Sequence, residues 1–459
     1  MLTGSIVQRE EETVKISTLL ERTTLNSIRK ALPDRVVVKG CRAVGYTWRE
    51  RTLTPIVTVL HMLLAALWPE ESFNASWEVM WYSLKSQFPQ LPDKSPSGGS
   101  VAKARGRLPL KVWQHIFEWI SRQAQEVSKQ FEQWKGHRVV LLDGTCVSMP
   151  DTPSLFAAFG RAKGRCGKYR YPLGRLVVLC LADTMTVISY ALGAYRTDET
   201  VLAAGLLETL QKGDLLLADR HFAAAHFYVK YQRAGLEFLT RVHQRLKISR
   251  VKRVISYGAN DFIGRLKIGT LYRRKDPTLP KTILVRFICS KMLIRGRLQK
   301  VWMVTSLLDN VRYPAEEIAR LYASRWRIET LFKEVKIALS ADVLRSKTPQ
   351  QVHKEITARM VALNIVRTIM LEAALETGVE PLRISFVAAV RAIVSFAPAF
   401  ATARIFKLPQ IYRAMLREVA AHLVPERPAR NEPRRVRREC RHYPLLKTTR
   451  QQWRNQNVA

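Results

Sequence analysis

The order of apolar runs in this 459-residue chain predicts an α/β fold: a mixed-sheet core between a helical N-terminal part and a helical, basic C-terminal part. Three observations carry that prediction. Between about residues 139 and 234 the pattern reads strand, strand, strand, helix, strand, helix. Two of those strands close on an aspartate, Asp143 and Asp219. Downstream, Tyr322-Ala-Ser-Arg-Trp-Arg-Ile-Glu-Thr-Leu-Phe-Lys-Glu-Val-Lys336 has a helical apolar stripe beside a row of charge.

From the N-terminus, Ile16–Leu32, Thr54–Trp68 and Ser76–Phe88 read as helices separated by Pro- and Gly-containing breaks, within a helical region 1–136. Gln90–Ser100 reads as a loop, with Ser100 placed to cap a following helix that carries Lys103, Arg105 and Arg107 near its start. Small residues mixed with cations suit either close approach to a DNA backbone or an ordinary solvated basic turn. Val139-Val-Leu-Leu-Asp143-Gly is a buried-strand run, followed by strands over Arg175–Ala182 and Thr186–Ala194. A helix over Asp198–Leu210, a strand over Asp214–Asp219 and a helix over Ala223–Ala234 complete the alternation, within a core spanning 137–345. Residues 237–310 turn strand-rich, with runs at Phe238, Arg265, Thr282–Cys289 and Lys300–Thr305, and read as an insertion into that core. Apolar helices follow at Lys354–Gly378 and Ser385–Phe396 within 346–425. The tail 426–459 is dense in arginine, including Arg434, Arg435, Arg437 and Arg438.

Seventy-five Lys and Arg against 38 Asp and Glu leave a formal charge of +37, which points to a polyanionic partner, nucleic acid first. A hydrophobic fraction of 47% excludes a wholly disordered chain. Cys41, Cys146, Cys166, Cys180, Cys289 and Cys440 are scattered without a Cys-x-x-Cys pair, so neither a zinc knuckle nor a disulfide framework is suggested. The longest apolar run, about 55–68, contains His61 and is short for a membrane span. These features predict a cytosolic, polyanion-binding protein with no membrane partner.

In the 322–336 segment the steps from Tyr322 to Arg325, Glu329 and Lys336 are three, four and seven residues, which on a regular helix share one face, with Lys333 beside them. Leu321, Ile328, Leu331, Phe332, Val335 and Leu339 form the stripe that would bury it. A carboxylate ringed by cations suits a metal ligand next to phosphates; the same pattern is also that of a salt-bridged solvated face. Asp143 and Asp219 sit where α/β sheets assemble sites, although a single such aspartate is often a turn former or cap. Three carboxylates from separate elements can hold two divalent ions for in-line phosphoryl transfer. Hard oxygen donors suit Mg²⁺ or Mn²⁺.

With those residues in view, the chain resembles the IS4 family of DDE transposases. Asp143-Gly-Thr, Ala218-Asp219-Arg-His-Phe222 and the Tyr-x2-Arg-x3-Glu-x6-Lys signature from Tyr322 to Lys336 carry the resemblance, which covers about residues 135–345. It implies an RNase H-like core with a β-strand insertion between the second Asp and the Glu. It assigns Asp143, Asp219 and Glu329 as catalytic metal ligands, with two Mg²⁺ or Mn²⁺ ions per site. It implies cut-and-paste transposition: hydrolysis at each transposon end and attack of the freed 3′-hydroxyl on target DNA, by a homodimer on paired terminal inverted repeats. Tyr322, Arg325 and Lys336 would grip the terminal phosphates and help to hold a flipped base, and Lys333 beside them is a further candidate DNA contact. In one relative within that family a Trp just ahead of a Thr-Ser pair, in the last strand of the insertion, stacks on that base. Here Trp302 precedes Thr305-Ser306 one residue closer, which on a strand reverses the face, so Trp302 is a candidate for the stack or for the core. His221 reads as structural, and Asp183, Asp198 and Glu199 as capping or surface groups or supports for the site. Two other readings stand beside transposition: a nuclease of the same fold without strand transfer, and a non-catalytic DNA-binding descendant.

Overall fold

The computed structural model describes residues 31–49, 51–68, 72–87, 91–162, 171–294, 297–339, 341–396, 399–400 and 403–424. Most of the helix expected at 16–32, the C-terminal tail with its arginines, Cys166 and Cys440 lie outside them. Residues 291–299, the outer end of one hairpin, group apart from the compact unit formed by the described residues of 1–290 and 300–425.

The N-terminal part is helical. Helices α1 (Asp34–Ala43), α2 (Pro55–Leu67), α3 (Phe73–Gln87), α4 (Gly98–Arg107) and α5 (Leu110–Ser128) follow in order. Thr54 caps α2 by accepting from the Val57 amide at 3.3 Å, and Pro55 at the first turn forgoes a donor that would have no partner. The predicted cap of α4 is corrected: Ser97, not Ser100, accepts the first-turn amide, so the helix begins inside the expected loop. Gly98 makes this possible, because a Cβ there would lie 2.6 Å from the Asn74 side chain. Trp77 holds the preceding turn by donating to Ser95 Oγ at 3.0 Å. Arg105 is also corrected. It lies between Lys103 and Arg107 on the opposite side of the helix, is buried, and places its guanidinium 3.4 Å from the centre of the Phe73 ring.

Strands β1 (Val139–Ser148), β2 (Leu173–Leu181), β3 (Val187–Ala194), β4 (Leu215–Ala218) and β5 (Glu237–Arg241) form one half of a nine-stranded sheet. Between them lie α6 (Pro153–Phe159), α7 (Glu199–Leu206) and α8 (Ala225–Arg233). Strands β1, β2 and β3 pair antiparallel, whereas β1, β4 and β5 run parallel. The strand-rich stretch extends this sheet through β6 (Lys252–Gly258), β7 (Asp261–Lys267), β8 (Thr282–Ile294) and β9 (Arg297–Thr305), with α9 (Thr270–Lys275) between β7 and β8. The full order is β3-β2-β1-β4-β5-β9-β8-β7-β6. Strand β9 joins the parallel half by pairing antiparallel with β5, Thr240 opposite Val304.

After the sheet come α10 (Ala315–Ala323), α11 (Arg327–Lys333), α12 (Pro349–Thr377), α13 (Phe386–Ser395) and α14 (Leu408–Ala421). Helix α12 is buried along most of its 29 residues and ends at Gly378, whose φ of +73° is the left-handed stop that glycine provides. It also covers the free edge of β3: Asn364 accepts the Val187 amide at 2.9 Å and donates to the Val187 carbonyl at 2.8 Å. From α5, Ser121 donates to the carbonyls of Val187 and Ile188. Among the described residues, no helix is long and apolar enough to cross a membrane.

Candidate active site

The parallel register of β1 and β4 brings the first two acids together. Leu142 stands opposite Ala218, so the next residues, Asp143 and Asp219, emerge side by side where β4 ends. The expectation that Asp143 ends its own strand is corrected. Strand β1 runs five residues further because β2 pairs with it from Leu181 to Leu173, with Asp143 opposite Val178. The gap in pairing opens only on the β4 side, and it is there that a carboxylate can reach outward.

Gly144 follows at a point of close approach. A Cβ there would lie 2.5 Å from Glu199 Cδ, so only glycine lets Glu199 pack against this strand. Glu199 is held by Arg175 at 2.6 Å. Asp198 caps α7 by accepting from the Thr200 amide at 2.8 Å, and its carboxylate also lies 3.3 Å from His221 Nε2. Asp219 accepts the His221 amide at 2.7 Å, starting a short 3₁₀ turn. His221 thus has a structural place in the turn, and Asp198 a cap. Asp183 lies instead near Arg327, at 3.9 Å.

The signature segment departs from one regular helix. Helix α10 tightens to a 3₁₀ turn over Ser324–Trp326, resumes as α11, and loosens to a π turn over Glu334–Ala338. All six residues of the predicted apolar stripe are buried. The polar row, however, spreads apart: Tyr322 and Arg325 turn inward, Glu329 and Lys333 stand at the surface, and Lys336 is half-buried. Arg325 is the link. Its Nη1 donates to Asp143 Oδ2 at 3.3 Å, and its Nη2 lies 3.9 Å from Glu329 Oε1. Helix α12 anchors the π turn, with Arg367 paired to Glu334 and Arg359 Nε donating to the Leu339 carbonyl at 2.8 Å.

The electrostatics follow from burial. The Asp143 carboxyl is pushed up to about 6, first by desolvation; the Gly144 amide and Arg325 pull it down, and Asp219 and Glu199 push it up. Tyr322 is raised to about 12, again first by burial, with Arg325 opposing and Asp219 adding to the rise. Asp143 thus feels two further carboxylates, Asp219 and Glu199, of which Glu199 is already paired to Arg175. The oxygen donors of Asp143, Asp219 and Glu329 are of the kind that suits a hard divalent cation. Among the described residues, no three acids, histidines or cysteines converge on one point as they stand, and the Arg325 guanidinium occupies the space between Asp143 and Glu329.

Other predicted residues lie elsewhere. Lys103 and Arg107 are exposed on α4. Trp302 packs edge-on to Phe262, with ring centres 6.0 Å apart, against the core that also holds Val304. Arg434, Arg435, Arg437 and Arg438 fall outside the described residues. Sequence reasoning did not single out Arg175 or Arg241, which is close enough to the Tyr322 hydroxyl to draw it down. The signal for Arg175 was a charged residue inside the apolar run of β2.

Residues 134–365, just over half the chain, match the family described as the transposase DDE domain. The chain is 26% identical over 360 residues to transposase InsG for insertion sequence element IS4 of Escherichia coli (strain K12), spanning 77% of this chain and 80% of that one. It is 25% identical over 261 residues to the transposase for insertion sequence element IS421 of Escherichia coli, spanning 51% of this chain and 66% of that one. Among solved structures, a piggyBac transposase in a synaptic complex with hairpin DNA aligns over 89% of this chain and 86% of that one, with a TM-score of 0.42 and 10% identity.

Proposed function

The chain belongs to the DDE transposases of the IS4 family, which cleave DNA and transfer strands, and from that premise we propose that Asp143, Asp219 and Glu329 are its catalytic acids. The observation that carries this reading is the β1/β4 register, which sets two carboxylates side by side with Arg325 tying the third toward them. The core is read as RNase H-like, supported by three antiparallel strands continued by two parallel ones.

Enzymes of this family use divalent metal ions, and we assign two Mg²⁺ or Mn²⁺ ions to the three acids. When bound, such ions supply activation of a water or 3′-hydroxyl and stabilisation of the leaving oxygen. The chain's own groups do the rest. Asp143, Asp219 and Glu329 would hold the ions, for which Glu329, now at the surface, would have to turn inward and Arg325 to release Asp143. Arg325, Lys333 and Lys336 then present cations to the strand, Arg325 as a planar fork and the lysines as point charges. Buried Tyr322 keeps its proton at neutral pH.

On this reading the reaction is cut-and-paste transposition, on terminal inverted repeats and then on target DNA. A pair of chains is the smallest assembly that gives each of two ends its own site. Trp302 is assigned to the core, since it packs on Phe262.

The test is cleavage of labelled DNA carrying the element's ends, in Mg²⁺ or Mn²⁺, by wild type, Asp143→Asn and Glu329→Gln. Metal-dependent cutting that both substitutions lower by at least about 10³-fold, with DNA binding retained, is expected from loss of a metal ligand. Cutting that survives either substitution removes that residue from the triad.

A further inference from the structure

The extended segment after α1 and the face of α4 enclose an open groove of about 800 Å³. The groove shares no residue with the acids. Tyr46 and Trp48 line it, two residues apart on extended chain, with ring centres 6.5 Å apart and planes inclined by 19°. Arg49 and Arg51 join it from the same segment, and Lys103 and Arg107, one helical turn apart, join it from α4. All four cations are exposed and both rings half-buried, and the described lining includes no carboxylate.

Each part restricts the ligand. Four cations converging from two segments, with no acid among the described lining residues, suit a chain of phosphates rather than a single carboxylate. A pair of near-parallel aromatic rings offers a flat apolar face. Bases inside a duplex have their faces covered by neighbours, so such a platform is useful only to a base released from the stack. The volume is enough for a nucleotide or two.

We propose that this groove is a second nucleic-acid site, which takes the sugar–phosphate backbone of one strand and stacks an unpaired base on Tyr46 and Trp48. It rests on DNA as the partner and deepens that reading by naming the form of DNA recognised: a single-stranded flank or overhang beside the duplex. Lys103 and Arg107 hold phosphates, and the rings hold the base.

The test uses the full chain and a duplex carrying a short single-stranded overhang, with one 5-iodo-deoxyuridine placed in either the overhang or the duplex. Irradiation followed by peptide mapping should give adducts on Tyr46 or Trp48 from the overhang position and not from the duplex position. By anisotropy, Trp48→Ala should weaken overhang binding about 5- to 100-fold and leave blunt duplex unchanged, while Trp48→Phe keeps a ring and most of the affinity. Lys103→Ala with Arg107→Ala should make the salt slope shallower by about 1.4, two single-strand phosphates' worth. An absent adduct, or equal weakening on blunt and overhang DNA, overturns the proposal. Displacement of the overhang by polyglutamate as effectively as by DNA also overturns it and assigns the groove to acidic protein. Metal-dependent cleavage at the element's ends by the wild type, measured in parallel, keeps a failure of this proposal distinct from a failure of the transposase reading.

Discussion

At the scale of single residues, the site depends on what each side chain displaces. Asp143 carries its charge against burial, and among the described residues Arg325 is the guanidinium bonded to it. Gly144 is as consequential as the acids, because its missing Cβ is the space Glu199 occupies. Gly144→Ala should therefore push Glu199 out, break its 2.6 Å pair with Arg175, and destabilise the protein by about 1–3 kcal/mol, read by urea denaturation. An unchanged midpoint would show that Glu199 can swing away freely. The acids proposed for the site and the Tyr, Arg and Lys of the signature could be singled out as candidates in the sequence, because spacing and strand context mark them. The Gly144–Glu199 approach could not, since 55 residues separate the pair and only the sheet brings them together.

At the scale of elements, the helical part holds a pH-sensitive support. His61 on α2 is 1% exposed, with Nε2 at 2.9 Å from the Phe73 carbonyl and its ring edge-on to Trp77. Its pKa is lowered to about 4, first by burial, with Arg105 and Arg345 adding to the fall and the Phe73 bond opposing it. The unfolded chain binds this proton near 6.5, so the unfolded state holds more protons between about pH 4 and 6.5. Stability from this group is complete above 6.5 and is lost as pH falls through that window, by roughly 2 kcal/mol at pH 5. His226 and His353, also lowered first by burial, add in the same direction. His61→Gln should flatten the drop in urea midpoint between pH 7.5 and 5; an equal drop in wild type and variant would exclude His61 as its source. The same scale explains the signature segment. A 3.6-residue period assigns one face to Tyr322, Arg325, Glu329 and Lys336, but the 3₁₀ and π turns rotate successive residues off that face. Spacing could place the apolar stripe, because burial tolerates such rotation; it could not place the polar row, because a hydrogen bond does not.

At the scale of the molecule, charge and topology divide the work. The formal charge of +37 reaches beyond the described residues into the tail, where nine arginines lie between Arg427 and Arg454. Truncation after Pro425 should weaken DNA binding and make its salt slope shallower by about 0.9 for each phosphate that the tail neutralises. An unchanged slope would remove the tail from DNA binding. The sequence by itself determined the α/β alternation, the net basic charge, the candidate acids and the family signature, because each is written in local spacing or in composition. Only the tertiary structure decided which acids are neighbours, that the strand-rich stretch continues the core sheet through β5 and β9, that Arg105 is buried while Lys103 and Arg107 are not, and that two distant segments enclose a groove. Those are properties of strand register and of packing between segments far apart in the chain, and no local pattern contains them.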